Sequence, residues 1–467
     1  MQDFDTMGAN YFFTRAVRDD AAEKESSIMK SFLCGAAFAG ATLLLSGCQS
    51  GNGGMTTTAS PTTVAASASP VAVATAPTPT PVPSPSPTPP GLQVKLTEPV
   101  RGIYISGWVT GGTTRWNELL NLVDKTEINS VVIDVKEDGM MSYATPGIPL
   151  AVAVGANQKM IPDIDAKMAQ LSKRKIYSIA RITCFRDRIT AKKRPDLAVQ
   201  TTGGAPWRDR SGHYWLDPYN KENWDYNVAV AADAAQRGFG EIQWDYVRFP
   251  SEGARAGRVY PAKTKGDLRS EARVIAEFLQ YAREKLKPYN VVVSADVFGL
   301  TVAAKPDYDM GIGQKIDLMM PHLDVVCPMI YPSHYGRGEY GIAHPNASPY
   351  KTISFAMRDS VARVKGTNCR VRPWLQDFSL GVRYGEPEVR AQIKATREHG
   401  VEEYLLWNAS NRYTASALVP LKVKTEPKSA KKAAKPAASP SPDAASSSPA
   451  ASGTPTPVAS PSPTPSV

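Results

Sequence analysis

The chain has 467 residues, 39 of them proline, and a formal net charge of +10. A basic chain raises the prospect of nucleic-acid binding. Here six lysines fall in one tail segment, residues 422–435, and the N-terminus reads as an export signal, so no nucleic-acid partner is expected. Five Cys at unrelated spacings and five His, with no Cys/His pair at zinc-ligand spacing, exclude a disulfide framework and a structural metal, and no cofactor is expected.

Residues 1–28 carry Asp19, Asp20, Glu23 and Glu25, which do not suit the start of an export signal, so they read as an upstream extension before a start at Met29. Residues 29–48 show Lys30, the apolar run Phe32 to Leu45, and Leu45-Ser46-Gly47-Cys48. The last four resemble a bacterial lipobox, which implies a lipid on Cys48 and an exported protein anchored to the cell envelope, facing the extracytoplasmic side. The apolar run is too short to span a bilayer comfortably. Residues 49–96 form a Pro/Thr/Ser-rich linker, and residues 422–467 a Lys/Ala/Pro/Ser-rich tail. Neither can bury enough apolar surface to fold, so both are expected to be disordered. One domain remains, residues 97–421, expected as a monomer.

Within it, eight short apolar runs alternate with helical patterns. The expected strands are Arg101–Ser106, Ser130–Lys136, Ile176–Thr183, Glu241–Arg248, Val291–Val297, Val325–Tyr331, Val371–Gln376 and Tyr404–Asn408. Apolar residues recur at helical spacing in Trp116–Asp124, Leu268–Leu286 and Val389–His399, the last followed by Gly400 as a C-cap. Strand-then-helix repetition implies a parallel sheet, and eight units imply the α/β class as a single (β/α)8 TIM-type barrel, with an open doubly wound sheet as the alternative.

Alternation along each strand sorts side chains by face. Gln243, Asp245 and Val247 oppose Ile242, Trp244 and Tyr246. Ser294 and Asp296 oppose Val293, Ala295 and Val297. Asp134 and Lys136 oppose Val131, Ile133 and Val135, and Trp374 and Gln376 flank Leu375. The polar set falls near the C-terminal strand ends, where barrels of this kind carry their active sites.

Buried carboxylates are costly unless paired or used, and glycoside hydrolysis uses a pair, one ionised and one protonated. Asp245, with Arg248 nearby and Lys136 and Arg181 in reach, suits the ionised nucleophile. Asp296, beside Val297 and Phe298, suits the acid. Asp134, Lys136, Arg181, Arg248, Tyr331, His334, Trp374, Gln376, Asp377, Trp407 and Asn408 are candidates for binding a sugar. Aromatic residues at or beyond strand ends, among them Trp108, Tyr143, Trp207, Trp215 and Tyr335, add stacking surfaces or fill the core. There is no Gly-x-Ser-x-Gly elbow and no phosphate-binding glycine loop.

The order of Arg101-Gly-Ile-Tyr, Val132-Ile-Asp-Val-Lys-Glu-Asp-Gly139, Ala180-Arg-Ile, Trp215-Leu-Asp-Pro218, Trp244-Asp-Tyr-Val-Arg-Phe-Pro250, Ser294-Ala-Asp-Val-Phe-Gly299, Pro328-Met-Ile-Tyr-Pro-Ser-His-Tyr335 and Arg372-Pro-Trp-Leu-Gln-Asp-Phe378 resembles the glycosyl hydrolase barrel domains first catalogued as a bacterial domain of unknown function. The likeness runs from Val100 to about Tyr413. It implies a strand-four nucleophile at Asp245 and an acid on a later strand. Amylase-like enzymes take the acid from strand five, matching Asp296. Galactosidase-like enzymes take it from strand six, which here ends in Tyr331 and His334 without a carboxylate. The expectation is a tethered hydrolase acting on an extracellular or wall polysaccharide, with a sugar-binding barrel that lacks turnover as the alternative.

Overall fold

The computed structural model of the protein describes residues 93–421. Cys48, the stretches 1–28 and 29–48, most of the linker and the tail 422–467 lie outside the described residues. The eight apolar runs become β1 (Arg101–Ile105), β2 (Ser130–Glu137), β3 (Tyr177–Thr183), β4 (Glu241–Asp245), β5 (Val292–Phe298), β6 (Val325–Met329), β7 (Trp374–Gln376) and β8 (Tyr404–Trp407). Each pairs in parallel with the next, and β1 pairs with both β2 and β8, which closes the barrel. A two-residue strand, Met140–Met141, folds back antiparallel on the end of β2.

Several boundaries differ from the expected ones for local reasons. β4 stops at Asp245 because Tyr246 turns to a positive φ of 48°, a conformation that costs a non-glycine residue energy. The seventh strand breaks in two, with Arg370–Val371 and Trp374–Gln376 both pairing with β6. The break falls at Pro373, which has no N–H to give to a ladder.

Six helices of ten residues or more lie between the strands: α1 (Thr114–Lys125), α2 (Ile164–Lys173), α3 (Lys221–Gln236), α4 (Glu271–Leu286), α5 (Pro349–Val364) and α6 (Glu386–Glu398). Side chains cap three of them, as Asp163 accepts from Ala166 N, Asn220 from Glu222 N and Ser270 from Arg273 N. α4 starts later than its apolar pattern because Ser270 takes the cap and leaves Leu268 exposed. Gly400 follows α6 at φ 76°. None of the described helices is long and apolar enough to cross a membrane.

The apolar residues divide into two layers. Ile242, Trp244, Val293 and Ala295 face the helices, where Trp244 meets Phe278 of α4 edge-on at 5.4 Å. Burying a side chain of this size stabilises by roughly 1.5–3 kcal/mol. Val132, Ile179, Val325, Cys327, Trp374 and Leu405 fill the barrel interior. At the N-terminal end of the barrel, Glu241 of β4 pairs with Arg372 at 2.8 Å, both fully buried, and Ser294 donates to the same carboxylate at 2.5 Å. That end is closed by charge pairing, and the opposite end carries the candidate site.

Candidate active site

The centre of the site is Arg181, the fifth residue of β3, whose guanidinium is nearly buried among three carboxylates. Its Nη1 donates to Asp134 and to Glu137, each at 2.6 Å. Its Nε and Nη2 both reach Asp245 Oδ2, at 2.9 and 2.5 Å. Tyr104 of β1 donates to Asp134 Oδ2 at 2.5 Å. Burial raises the Asp134 carboxyl to about 6, with Arg181 pulling the other way. Burial would also raise Glu137, but Arg181 and Arg186 together hold it below the usual carboxylate value.

Glu137 reaches this cluster because β2 carries a bulge. Asp134 pairs with Arg181, and the next partner, Ile182, pairs with Lys136, so Val135 is an extra residue. The alternation slips, and the structure corrects the sequence reading of Lys136, which points to the helix side. There its Nζ pairs with Asp187 at 2.9 Å, both side chains fully buried, and donates to Asn227 Oδ1 of α3 at 3.1 Å. Lys136 therefore holds the barrel wall, and Glu137 takes the place it was expected to fill. The turn that follows needs glycine, because Gly139 sits at φ 82° and a Cβ there would lie 2.1 Å from Asp187 Oδ1.

Asp245 ends β4, and its Oδ1 accepts from Tyr246 N at 2.6 Å. The positive φ also overturns the alternation at Tyr246, bringing its ring to the cleft beside Asp245. Arg186, from the segment after β3, lies 4.0 Å over that ring and donates to the Tyr246 hydroxyl at 2.6 Å. On β5, Asp296 lies deeper, 1% exposed against 7% for Asp245. Burial and the neighbouring Asp245 charge push its carboxyl well above the usual range. Trp374 of β7 donates its indole N–H to Asp296 Oδ1 at 2.7 Å.

The other sequence candidates divide by role. Trp407 stacks on Tyr104 with centroids 4.1 Å apart and meets Trp374 edge-on at 5.5 Å, giving a partly open aromatic surface above Arg181. Tyr331 packs edge-on against His334 and Phe378, and burial lowers the His334 ring to about 4, so it is neutral at pH 7. Gln376 is buried, accepting from Ser333 N and donating to Phe378 O, each at 3.0 Å. Asp377 accepts from Thr414 N and Oγ1 at 2.8 and 2.7 Å, and Asn408 donates to the Asp377 carbonyl. These last three bind strand ends to one another. Tyr143 is buried in the helix layer, and Trp108 is 68% exposed.

Beside Asp245 a cleft of about 40 Å³ is bounded by Arg186, His213, Trp215, Tyr246, Arg248 and Phe298. Asp209 braces its wall by accepting from Trp215 Nε1 at 3.0 Å. Among the described residues no group of three or more His, Cys, Asp or Glu side chains is placed to hold a metal ion. Glu137, Arg186, Tyr104 and Tyr246 are site residues that alternation did not single out. For Arg186 the available signal was a charge directly after a strand end.

A closed parallel barrel with carboxylates, arginines and aromatic rings at its C-terminal strand ends has the architecture of a barrel glycoside hydrolase. Residues 102–413 match the family described as "Putative glycosyl hydrolase domain", and the chain belongs to that family, which makes it a glycoside hydrolase with a carbohydrate substrate. The crystal structure of a hypothetical protein from Ruminiclostridium thermocellum is 38% identical over 42% of this chain and 97% of its own, with a TM-score of 0.38. The glycoside hydrolase domain of PgaB (BpsB) from Bordetella bronchiseptica is 14% identical over 70% of this chain and 100% of its own, with a TM-score of 0.49. A chitinase from Chromobacterium violaceum is 11% identical over 68% and 97%, with a TM-score of 0.40. No curated protein sequence matches the chain.

Proposed function

We propose that this chain cleaves O-glycosidic bonds of an extracellular or cell-wall polysaccharide by a two-carboxylate mechanism, while tethered to the envelope through a lipid on Cys48. The observation that carries the mechanism is the contrast between two neighbouring carboxylates. Trp244 pairs with Ala295, so the next positions, Asp245 and Asp296, stand level on adjacent strands. Such strands lie about 4.8 Å apart, which brings the two carboxyls into the range that two-carboxylate hydrolysis uses, retaining or inverting. Asp245 is held by Arg181 and is the more accessible. Asp296 is buried, with its carboxyl raised toward the protonated form.

In this reading Asp245 attacks the anomeric carbon and forms a glycosyl-enzyme. Asp296 gives its proton to the departing oxygen, then takes one from the water that releases the sugar. Trp407, stacked on Tyr104, supports a sugar ring. The test is release of reducing ends from a polysaccharide panel by the full chain, beside Asp245→Asn. Release by the wild type alone supports the mechanism. Binding without release by either protein moves the reading to a sugar-binding barrel. The tether is tested by labelled fatty-acid incorporation, which Cys48→Ala should abolish.

A further inference from the structure

Resting on the hydrolase reading, we infer that the cleft beside Asp245 takes a sugar bearing an anionic group, a carboxylate or a sulfate, and that Arg248 is the residue that receives it. Five cationic side chains are buried among the described residues: Lys136, Arg181, Arg186, Arg248 and Arg372. Four have a carboxylate within 4.0 Å: Asp187 for Lys136, Asp134, Glu137 and Asp245 for Arg181, Glu137 for Arg186, and Glu241 for Arg372. Arg248 has none at that distance.

Its surroundings are aromatic. The guanidinium lies 4.7 Å from the Trp215 ring, 4.8 Å from Phe298 and 5.1 Å from Tyr246. One nitrogen, Nη1, donates to Phe249 O and Ser251 Oγ, both at 3.1 Å. That leaves the Nε and Nη2 donors on the other edge, in a side chain that lines the cleft. An isolated buried cation is expensive, several kcal/mol even after relaxation, and ring contacts offset only part of that. A planar pair of N–H groups fits the two oxygens of a carboxylate or sulfate.

A second cation strengthens the case. Arg186 borders the same cleft over the Tyr246 ring, and its buried Nε has no hydrogen-bond partner. Three carboxylates border the cleft as well, and Asp245 and Glu252 favour the Arg248 charge from beyond 4.0 Å. Asp209 accepts from Trp215, Asp245 from Arg181, and Glu252 from Ser211. An incoming anion would meet the free edge of Arg248, with the Arg186 guanidinium, itself paired with Glu137, bordering the same cleft. A neutral hexose would leave the Nε and Nη2 edge of Arg248 without an anionic acceptor.

The test is binding by the full chain carrying Asp245→Asn, so that bound glycan is not turned over. Glucuronate and glucose are compared first by thermal shift at fixed ionic strength, then an oligogalacturonide against its methyl ester and a sulfated galactan oligosaccharide against its desulfated form. The expected result is tighter binding of at least one anionic partner of these pairs, lost by about 10- to 100-fold in Arg248→Gln and partly kept in Arg248→Lys. A preference for the carboxylate pair assigns the group as a uronate, and a preference for the galactan pair assigns it as a sulfate. Equal response to charged and neutral partners, or the same anion response in Arg248→Gln as in the parent, overturns the inference. If Arg248→Gln simply melts early, Arg248→Lys and competition by glucuronate in the parent still decide. Anion binding that depends on Arg248, in a protein whose wild type cleaves no glycan, would sink the hydrolase reading and leave the anion site standing.

Discussion

Trp374 donates its indole N–H to Asp296 at 2.7 Å while its ring meets Trp407 edge-on. One side chain of β7 thus joins the buried carboxyl to the aromatic surface above it. Burial and the Asp245 charge raise the Asp296 carboxyl, and the Trp374 hydrogen bond opposes them. Trp374→Phe removes that opposition. If Asp296 is the acid, the alkaline limb of the kcat/KM profile moves up in pH. A limb that stays in place, or moves down, would remove Asp296 from the acid role.

Asp245→Asn should lower kcat by about 10⁴-fold or more, on the scale seen when a nucleophile is removed. The fold should survive, because Arg181 keeps Asp134 and Glu137 as partners. Circular dichroism and a melting curve close to wild type would separate loss of chemistry from loss of structure.

Asp134 makes stability depend on pH in an uncommon direction. Its carboxyl is raised from 3.8 to about 6 in the folded protein. The native state then binds the proton more tightly than the unfolded chain does. The stabilisation is fully present below the unfolded value and is lost as pH rises through the folded one. Relative to Asp134→Asn, which does not titrate, the wild type should lose on the order of 3 kcal/mol between pH 3.5 and 7. Urea unfolding of both proteins across that range measures it, and a flat difference would contradict the assignment.

Lys136→Met should cost about 3–5 kcal/mol, because it leaves Asp187 buried without its cation. Each remaining folded molecule should keep the wild-type KM, since the amine faces α3 and not the sugar. A raised KM with unchanged stability would return Lys136 to the mouth.

The barrel was legible in the sequence because eight apolar runs, each followed by polar strand ends, leave few other ways to bury the sheet. The barrel-facing positions of Asp245 and Asp296 were legible because simple alternation holds up to the end of β4 and along β5. It fails where the backbone departs from it. The extra residue in β2 sent Lys136 to the helices and Glu137 to the site, and the turn at Tyr246 brought that ring to the cleft. Neither event leaves a mark in residue type. Gln376 and Asp377 stood at the right strand end, yet their partners, Ser333 and Thr414, come from distant segments that no local pattern connects.

The extra residue in β2 also sets how the site can change. With Val135 in place, consecutive basic and acidic residues, Lys136 and Glu137, serve opposite layers of one wall. Deleting that single valine would straighten the strand yet leave the amine toward Asp187 and the carboxylate toward Arg181, because Asp134, Lys136 and Glu137 would then alternate without the bulge. The charge presented by this side of the mouth thus depends on the bulge as much as on amino-acid identity, since only keeping Val135 in a regular strand would exchange the two. A relative that kept all four residues in an unbulged strand would be expected to present the amine to the mouth, and so to differ in the glycan it accepts.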